Sequence, residues 1–136
     1  MNPTVRLILG IVAGVVVGGL VVFLVEGAGH AIFPPPAGTD LSDPETMKGL
    51  IATLPTGAIA MVLIGWFLGS LAGAITAKAI ADRDLAAWIV AFLFIGLTAT
   101  NFLYIPHPVW MMAAGVALPL IAAWLATRMR RSANVG

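Results

Sequence analysis

The chain has 136 residues, a formal net charge of +1 and no cysteine, with 60% hydrophobic and only 10% charged residues. Its mean hydropathy of +1.03 sets it apart from water-soluble domains, in which roughly a quarter of the residues are charged. The small net charge excludes a nucleic-acid surface built on clustered Lys and Arg. The missing cysteine excludes disulfides, thiolate metal sites, iron–sulfur clusters and c-type haem attachment.

The apolar residues gather into four blocks, each near the roughly 20 residues that a membrane-crossing helix needs. The first block, at about 5–25, is uncharged apart from Arg6 near its start. It is longer than the hydrophobic core of a signal peptide, about 7–15 residues, and is read as a retained helix. Gly10, Gly14 and Gly18 recur every fourth position along it and share one helical face.

The following stretch, "VEGAGHAIFPPPAGTD", ends the run with Glu26, places His30 four residues later and then meets three prolines. Each proline removes a backbone donor and pushes the preceding residue toward extended geometry, so a short polyproline-like rod is expected. In "LSDPETMKGLIATLP", Ser42 and Glu45 have capping-box spacing, and Pro44 fits the first helical position. Met47, Leu50, Ile51 and Leu54 then recur at helical spacing. A short amphipathic helix over about 43–54, lying at the membrane interface, is the expectation.

The second block, at about 56–77, carries Gly65, Gly69 and Gly73 four apart, with Ala77 continuing the row. Small residues at this spacing let helix backbones approach closely in lipid, where no hydrophobic force joins helices. The two rows are read as packing on each other within one chain, with a homodimer seam as the alternative. The third and fourth blocks, at about 85–105 and 109–127, are joined by the tight turn "IPHPVW". Trp66, Trp88, Trp110 and Trp124 are assigned to packing and to interfacial belts.

These blocks predict an all-α, four-helix integral membrane bundle as a single domain over 1–136, with 27–54 as an insertion carrying the Pro-rich segment and the interfacial helix. Arg6, Lys78, Arg83, Arg128, Arg130 and Arg131, six of the seven basic residues, fall on one side of such a four-pass chain. The positive-inside rule makes that side cytoplasmic, with both termini inside. Glu26, Asp40, Asp43 and Glu45 fall on the opposite side.

Glu26 and His30 share a helical face, and His107 sits in the turn at the same membrane depth. Asn101 and Tyr104 approach that surface as supporting polar groups. One carboxylate and two imidazoles form a ligand set that a divalent metal such as zinc would take, with water as fourth ligand. The same set would also serve to relay protons or hold a cation. The simpler alternative is that Glu26 and His30 only meet water at a helix end and His107 only shapes a turn. No HExxH, phosphate loop or paired catalytic carboxylates occur, and Ser70 and Ser132 have no histidine nearby in sequence. An enzyme is therefore not expected, and no cofactor is assigned.

Taken together, "VEGAGHAIFPPPAGTD", "LSDPETMKGLIATLP" and "IPHPVW" resemble segments of a scattered group of small bacterial four-helix inner-membrane proteins. The resemblance implies an intact four-span protein of the bacterial inner membrane with an outer surface built from those three segments. It implies no activity, cofactor or catalytic residue. The leading expectation is a non-enzymatic membrane protein of structural, accessory or partner-binding type, whose partners are the lipid bilayer and a second copy or another membrane protein. The alternative is a small transporter or ion-handling protein that uses the Glu26/His30/His107 face. Its spans show no charge at mid-depth, and the first is expected to lack the buried carboxylate of a small multidrug exporter.

Overall fold

The structure, a computed structural model, describes residues 1–129; Arg130, Arg131 and Ser132 lie outside the described residues. It consists of five helices: α1 (Pro3–Ile32), α2 (Pro44–Thr53), α3 (Thr56–Ala81), α4 (Asp84–Tyr104) and α5 (Val109–Arg128). Among the described residues there is no strand, and α1, α3, α4 and α5 are long and apolar enough to cross a membrane.

The four long helices run up and down in alternation. Lys78 near the end of α3 touches the end of α5 and the start of α4, and Arg6 on α1 reaches the Ile80 carbonyl. These contacts gather the start of α1, the end of α3, the start of α4 and the end of α5 into one end of the bundle, called here the terminal end. At the other end α2 lies over the bundle, so this is called the capped end.

Local chemistry explains most of the boundaries. The Asn2 side chain accepts the Thr4 amide, and Pro3 takes the first turn of α1, where its missing donor costs nothing. The helix then runs through "EGAGHAI", seven residues past the expected end of the first span, because no proline interrupts it before Pro34. At Pro36–Thr39 the chain turns sharply, with the Thr39 amide on the Pro36 carbonyl at 3.2 Å and Gly38 at φ 80°. That is the position at which a type II turn requires left-handed geometry. The polyproline rod is therefore cut short.

The capping box expected of Ser42 and Glu45 does not start α2. Asp43 is the cap, its carboxylate accepting the Thr46 amide at 3.1 Å, while Ser42 is held by Asp40. A carboxylate one residue closer to the helix competes better for the orphan amides than a hydroxyl already in use. The second span continues to Ala81, beyond the expected 77, and stops at Asp82 in left-handed geometry. Pro119 lies inside α5 and is fully buried, leaving the Gly115 carbonyl without its usual intrahelical donor.

The core is built from small residues. Ala74, Ala77, Ala86, Ala87, Ala122 and Ala123 are fully buried, while Leu20, Phe23, Leu24, Phe92 and Leu97 face outward. This reverses the arrangement of a water-soluble bundle, where large apolar side chains fill the interior. Along α1 and α3 the backbones touch: a Cβ on Gly14 would stand 2.5 Å from the Gly73 carbonyl oxygen, and one on Gly18 would stand 2.6 Å from that of Gly69. Gly10 meets the Ala77 carbonyl in the same way at 2.7 Å. Gly65, grouped with Gly69 and Gly73 by spacing, differs from them. Its added Cβ would meet only side chains, Val25 at an ordinary 3.4 Å and Glu26 at 3.8 Å.

Candidate functional site

The two ends of α1 lie against α3 in different ways. Where Gly14 and Gly18 face Gly73 and Gly69, nothing fits between the helices. Toward the capped end α3 instead presents Trp66, and the interior opens around its indole. The cavity there has a volume of about 300 Å³, within the range of roughly 300–1,000 Å³ typical of small-molecule sites.

All five helices contribute to its wall. Glu26 and His30 come from consecutive turns of α1, an arrangement that the unbroken helix through Ile32 makes possible. Met47, Leu50 and Ile51 of α2, with Leu54 just past its end, line the cavity and close it from above. Asn101 near the end of α4 and His107 in the following turn complete the polar groups. The remainder is apolar, with Phe33, Met61 and Met111 among the lining, and no lysine or arginine is present.

Aromatic rings organise one side. Trp66 and Phe102 meet edge to face at 6.1 Å between centroids, and Phe102 and His107 do so at 4.9 Å. The His107 ring is fixed further by Nδ1, which donates to the Ile105 carbonyl at 2.7 Å. A carbonyl oxygen only accepts, so Nδ1 carries the proton and Nε2 remains available to a ligand. Glu26, half-buried, interacts with its helical neighbour His30 and with the Trp66 indole. The carboxylate therefore sits at the junction of α1 and α3, where the glycine seam gives way to the cavity.

Glu26, His30, His107 and Asn101 thus line one space. Tyr104 does not join them: although it is a helical neighbour of Asn101 at i+3, it is 71% exposed and does not line the cavity. Among the described residues no three His, Cys, Asp or Glu side chains come close enough to share a metal ion. Glu26, half-buried, lies within α1 rather than beyond its end, because the helix continues to Ile32.

Two residues of this region were assigned differently from the sequence. Trp66 was read as ordinary packing, yet it forms a wall of the cavity. Ser70, one turn along α3 on the same face, was set aside for want of a histidine. Its hydroxyl is fully buried and has no hydrogen-bond partner. The i, i+4 spacing of Trp66 and Ser70, alongside the Gly65/Gly69/Gly73 row, was the available signal. No family model, curated protein or solved structure matches the chain.

Proposed function

We propose that this is a multi-pass membrane protein that binds a small amphiphilic cation in the chamber beneath α2. The observation that carries this reading is a single carboxylate, Glu26, in a wall without Lys or Arg that is apolar and aromatic apart from His30, His107 and Asn101. A carboxylate taken out of water needs a positive partner, and desolvation strengthens the attraction. The Trp66 ring in the chamber wall adds cation–π attraction, which favours ammonium groups over hydrated metal ions. The apolar lining from α2, Met61 and Met111 suits an alkyl or aryl substituent. This narrows the ion-handling alternative to organic cations and assigns no catalytic step.

The apolar outward faces of α1, α3, α4 and α5 support insertion in a bilayer. Arg6, Lys78, Arg83 and Arg128 cluster toward the terminal end, and that end is assigned to the cytoplasm of a bacterial inner membrane. The chamber then faces outward. Reporter tags at Asp40 and at the carboxyl terminus are expected in opposite compartments; tags in one compartment would overturn the orientation.

Binding is tested with benzylbutyldimethylammonium, whose charge does not titrate, by calorimetry on the purified full chain in detergent. Saturable binding is expected, with Glu26→Gln weakening it about tenfold or more, equivalent to about 1.4 kcal/mol. An uncharged carbon isostere of the probe should bind no better to wild type than to Glu26→Gln. Absence of saturable binding, or equal affinity in wild type and Glu26→Gln, would overturn the reading and leave the structural or accessory role.

A further inference from the structure

A second cavity of about 310 Å³ lies deeper, lined by α1, α3 and α4 with Pro119 of α5, and shares Glu26, Trp66 and Asn101 with the chamber above. It begins where two helices part. At the level of Gly14 and Gly18, α1 rests on Val90 and Phe94 of α4, where an added Cβ would stand 3.1 Å and 2.6 Å away. The next residue, Gly19, faces open space, with nothing within 4 Å of its would-be Cβ, and it lines the cleft together with Val22 and the exposed Leu97. The seam of small residues closes the cleft toward the terminal end. Toward the capped end it adjoins the chamber, and Glu26, Trp66 and Asn101 line both.

The cleft holds one unanswered polar group. Ser70 is 1% exposed, lines the cleft and has no partner for its Oγ. A buried hydroxyl left without a hydrogen bond is costly, and native interiors rarely tolerate one. The neighbouring groups do not answer it: Thr98 donates its hydroxyl to the Phe94 carbonyl at 2.8 Å, and Pro119 has no N–H.

We propose that this cleft is a second subsite, in which Ser70 hydrogen-bonds a hydroxyl or similar short polar arm of the cation held at Glu26. The proposal rests on the cation-binding reading above. It adds that the ligand is an amino alcohol or related polar-armed ammonium rather than a purely hydrocarbon one. Ser70 lies one helical turn from Trp66, a rise of about 5.4 Å, which an arm of three methylenes ending in a hydroxyl spans. Asn101, common to both cavities, stands beside the path of that arm.

The test compares two probes that differ by one atom group: benzylbutyldimethylammonium and benzyl(3-hydroxypropyl)dimethylammonium. Both are titrated into the full-length protein and into Ser70→Ala in the same detergent. The hydroxyl-to-butyl affinity ratio should fall about three- to tenfold in Ser70→Ala, the effect of one neutral hydrogen bond. Affinity for the butyl probe should be unchanged, and the thermal stability of unliganded Ser70→Ala should be equal or higher, since an unsatisfied group has been removed. A ratio that Ser70→Ala leaves unchanged overturns the subsite, as expected if water alone fills the cleft. If Glu26→Gln still weakens both probes, the chamber reading survives that failure. If neither probe binds wild type, both fall together.

Discussion

The two ends of this bundle are built on opposite rules. At the terminal end small residues bring α1 and α3 into backbone contact, and polar side chains fasten the helix ends. Lys78 donates to the carbonyls of Ala126, Thr127 and Met129 at 3.0–3.1 Å and pairs with Asp84 at 3.0 Å. At the capped end Trp66, Phe102 and His107 hold the helices apart, and α2 roofs the space between them. The changeover takes one turn of α3, from Gly69 to Gly65. Tight packing and cavity thus come from two adjacent rows of α3, one whose glycines pinch and one whose indole wedges. For the proposed binding role, the close-packed half would hold the open half in shape.

The sharpest way to break this comparison is to put bulk into the seam. Gly14→Leu drives a side chain into the Gly73 carbonyl and Val90, and a helix-on-helix backbone contact cannot yield as a flexible side chain would. A loss of about 4 kcal/mol or more is expected, read as failure to yield monodisperse folded protein. Gly96→Leu on the outward face of α4, where nothing lies within 4 Å, should express and melt like wild type. If Gly14→Leu melts like Gly96→Leu, the two ends do not differ as described.

Next in size is the lysine fastening. Lys78 is 8% exposed, and its three carbonyl acceptors are terminal groups of α5 that lack intrahelical donors. Lys78→Met keeps the stem but removes the charge-assisted bonds, which are worth more than neutral ones. Destabilisation of about 2–4 kcal/mol is expected in thermal or denaturant unfolding. Most of this belongs to the buried carbonyl bonds, because Asp84 is largely solvated and its ion pair contributes little. Affinity for the ammonium probe should stay within twofold. A large loss of affinity would show that the two ends are coupled.

A smaller pair of variants tests the changeover itself. Gly69→Ala collides with the Gly18 carbonyl at 2.8 Å and with Val22, while Gly65→Ala meets Val25 at ordinary contact distance. The first should cost about 1–3 kcal/mol. The second should be neutral or gain up to about 1 kcal/mol from helix propensity. Equal effects would place the changeover elsewhere.

How much of this was legible in the sequence follows from the same division. Helix number, apolar blocks and the positions of the α1 and α3 glycine rows could be read because spacing alone determines a helical face. The meeting of Gly14 with Gly73 rather than with another helix could not, since spacing gives no partner. Gly65 shows the limit: its spacing equals that of Gly69, and only the residue opposite, Val25 rather than Gly18, separates them. For the site, Glu26, His30 and His107 were nominated by type and depth, and they do line one cavity with Asn101. Tyr104 was nominated by the same reasoning and is exposed outside the lining. Lys78 was counted only as a basic loop charge, because its partners are backbone carbonyls some fifty positions away and leave no trace in local pattern.

The smallest expected effect lies in the exposed connection at the capped end, where hydrogen bonds are local and no packing supports them. The Asp40 carboxylate accepts the Ser42 amide at 2.9 Å and its hydroxyl at 2.6 Å, and these bonds hold its pKa below the ordinary aspartate value. A carboxyl with a depressed folded-state pKa adds stability above its unfolded pKa and loses it as the pH falls through the folded value. The Ser42 amide should therefore lose hydrogen-exchange protection when the pH drops below the usual aspartate range, and Asp40→Asn should show weakened protection already at neutral pH. Global melting should not follow, because the turn is solvent-exposed while the stabilising contacts lie in the seam and around Lys78. If Asp40→Asn instead lowered the melting temperature as Lys78→Met does, the capped end would have to bear structural load comparable to that of the terminal end.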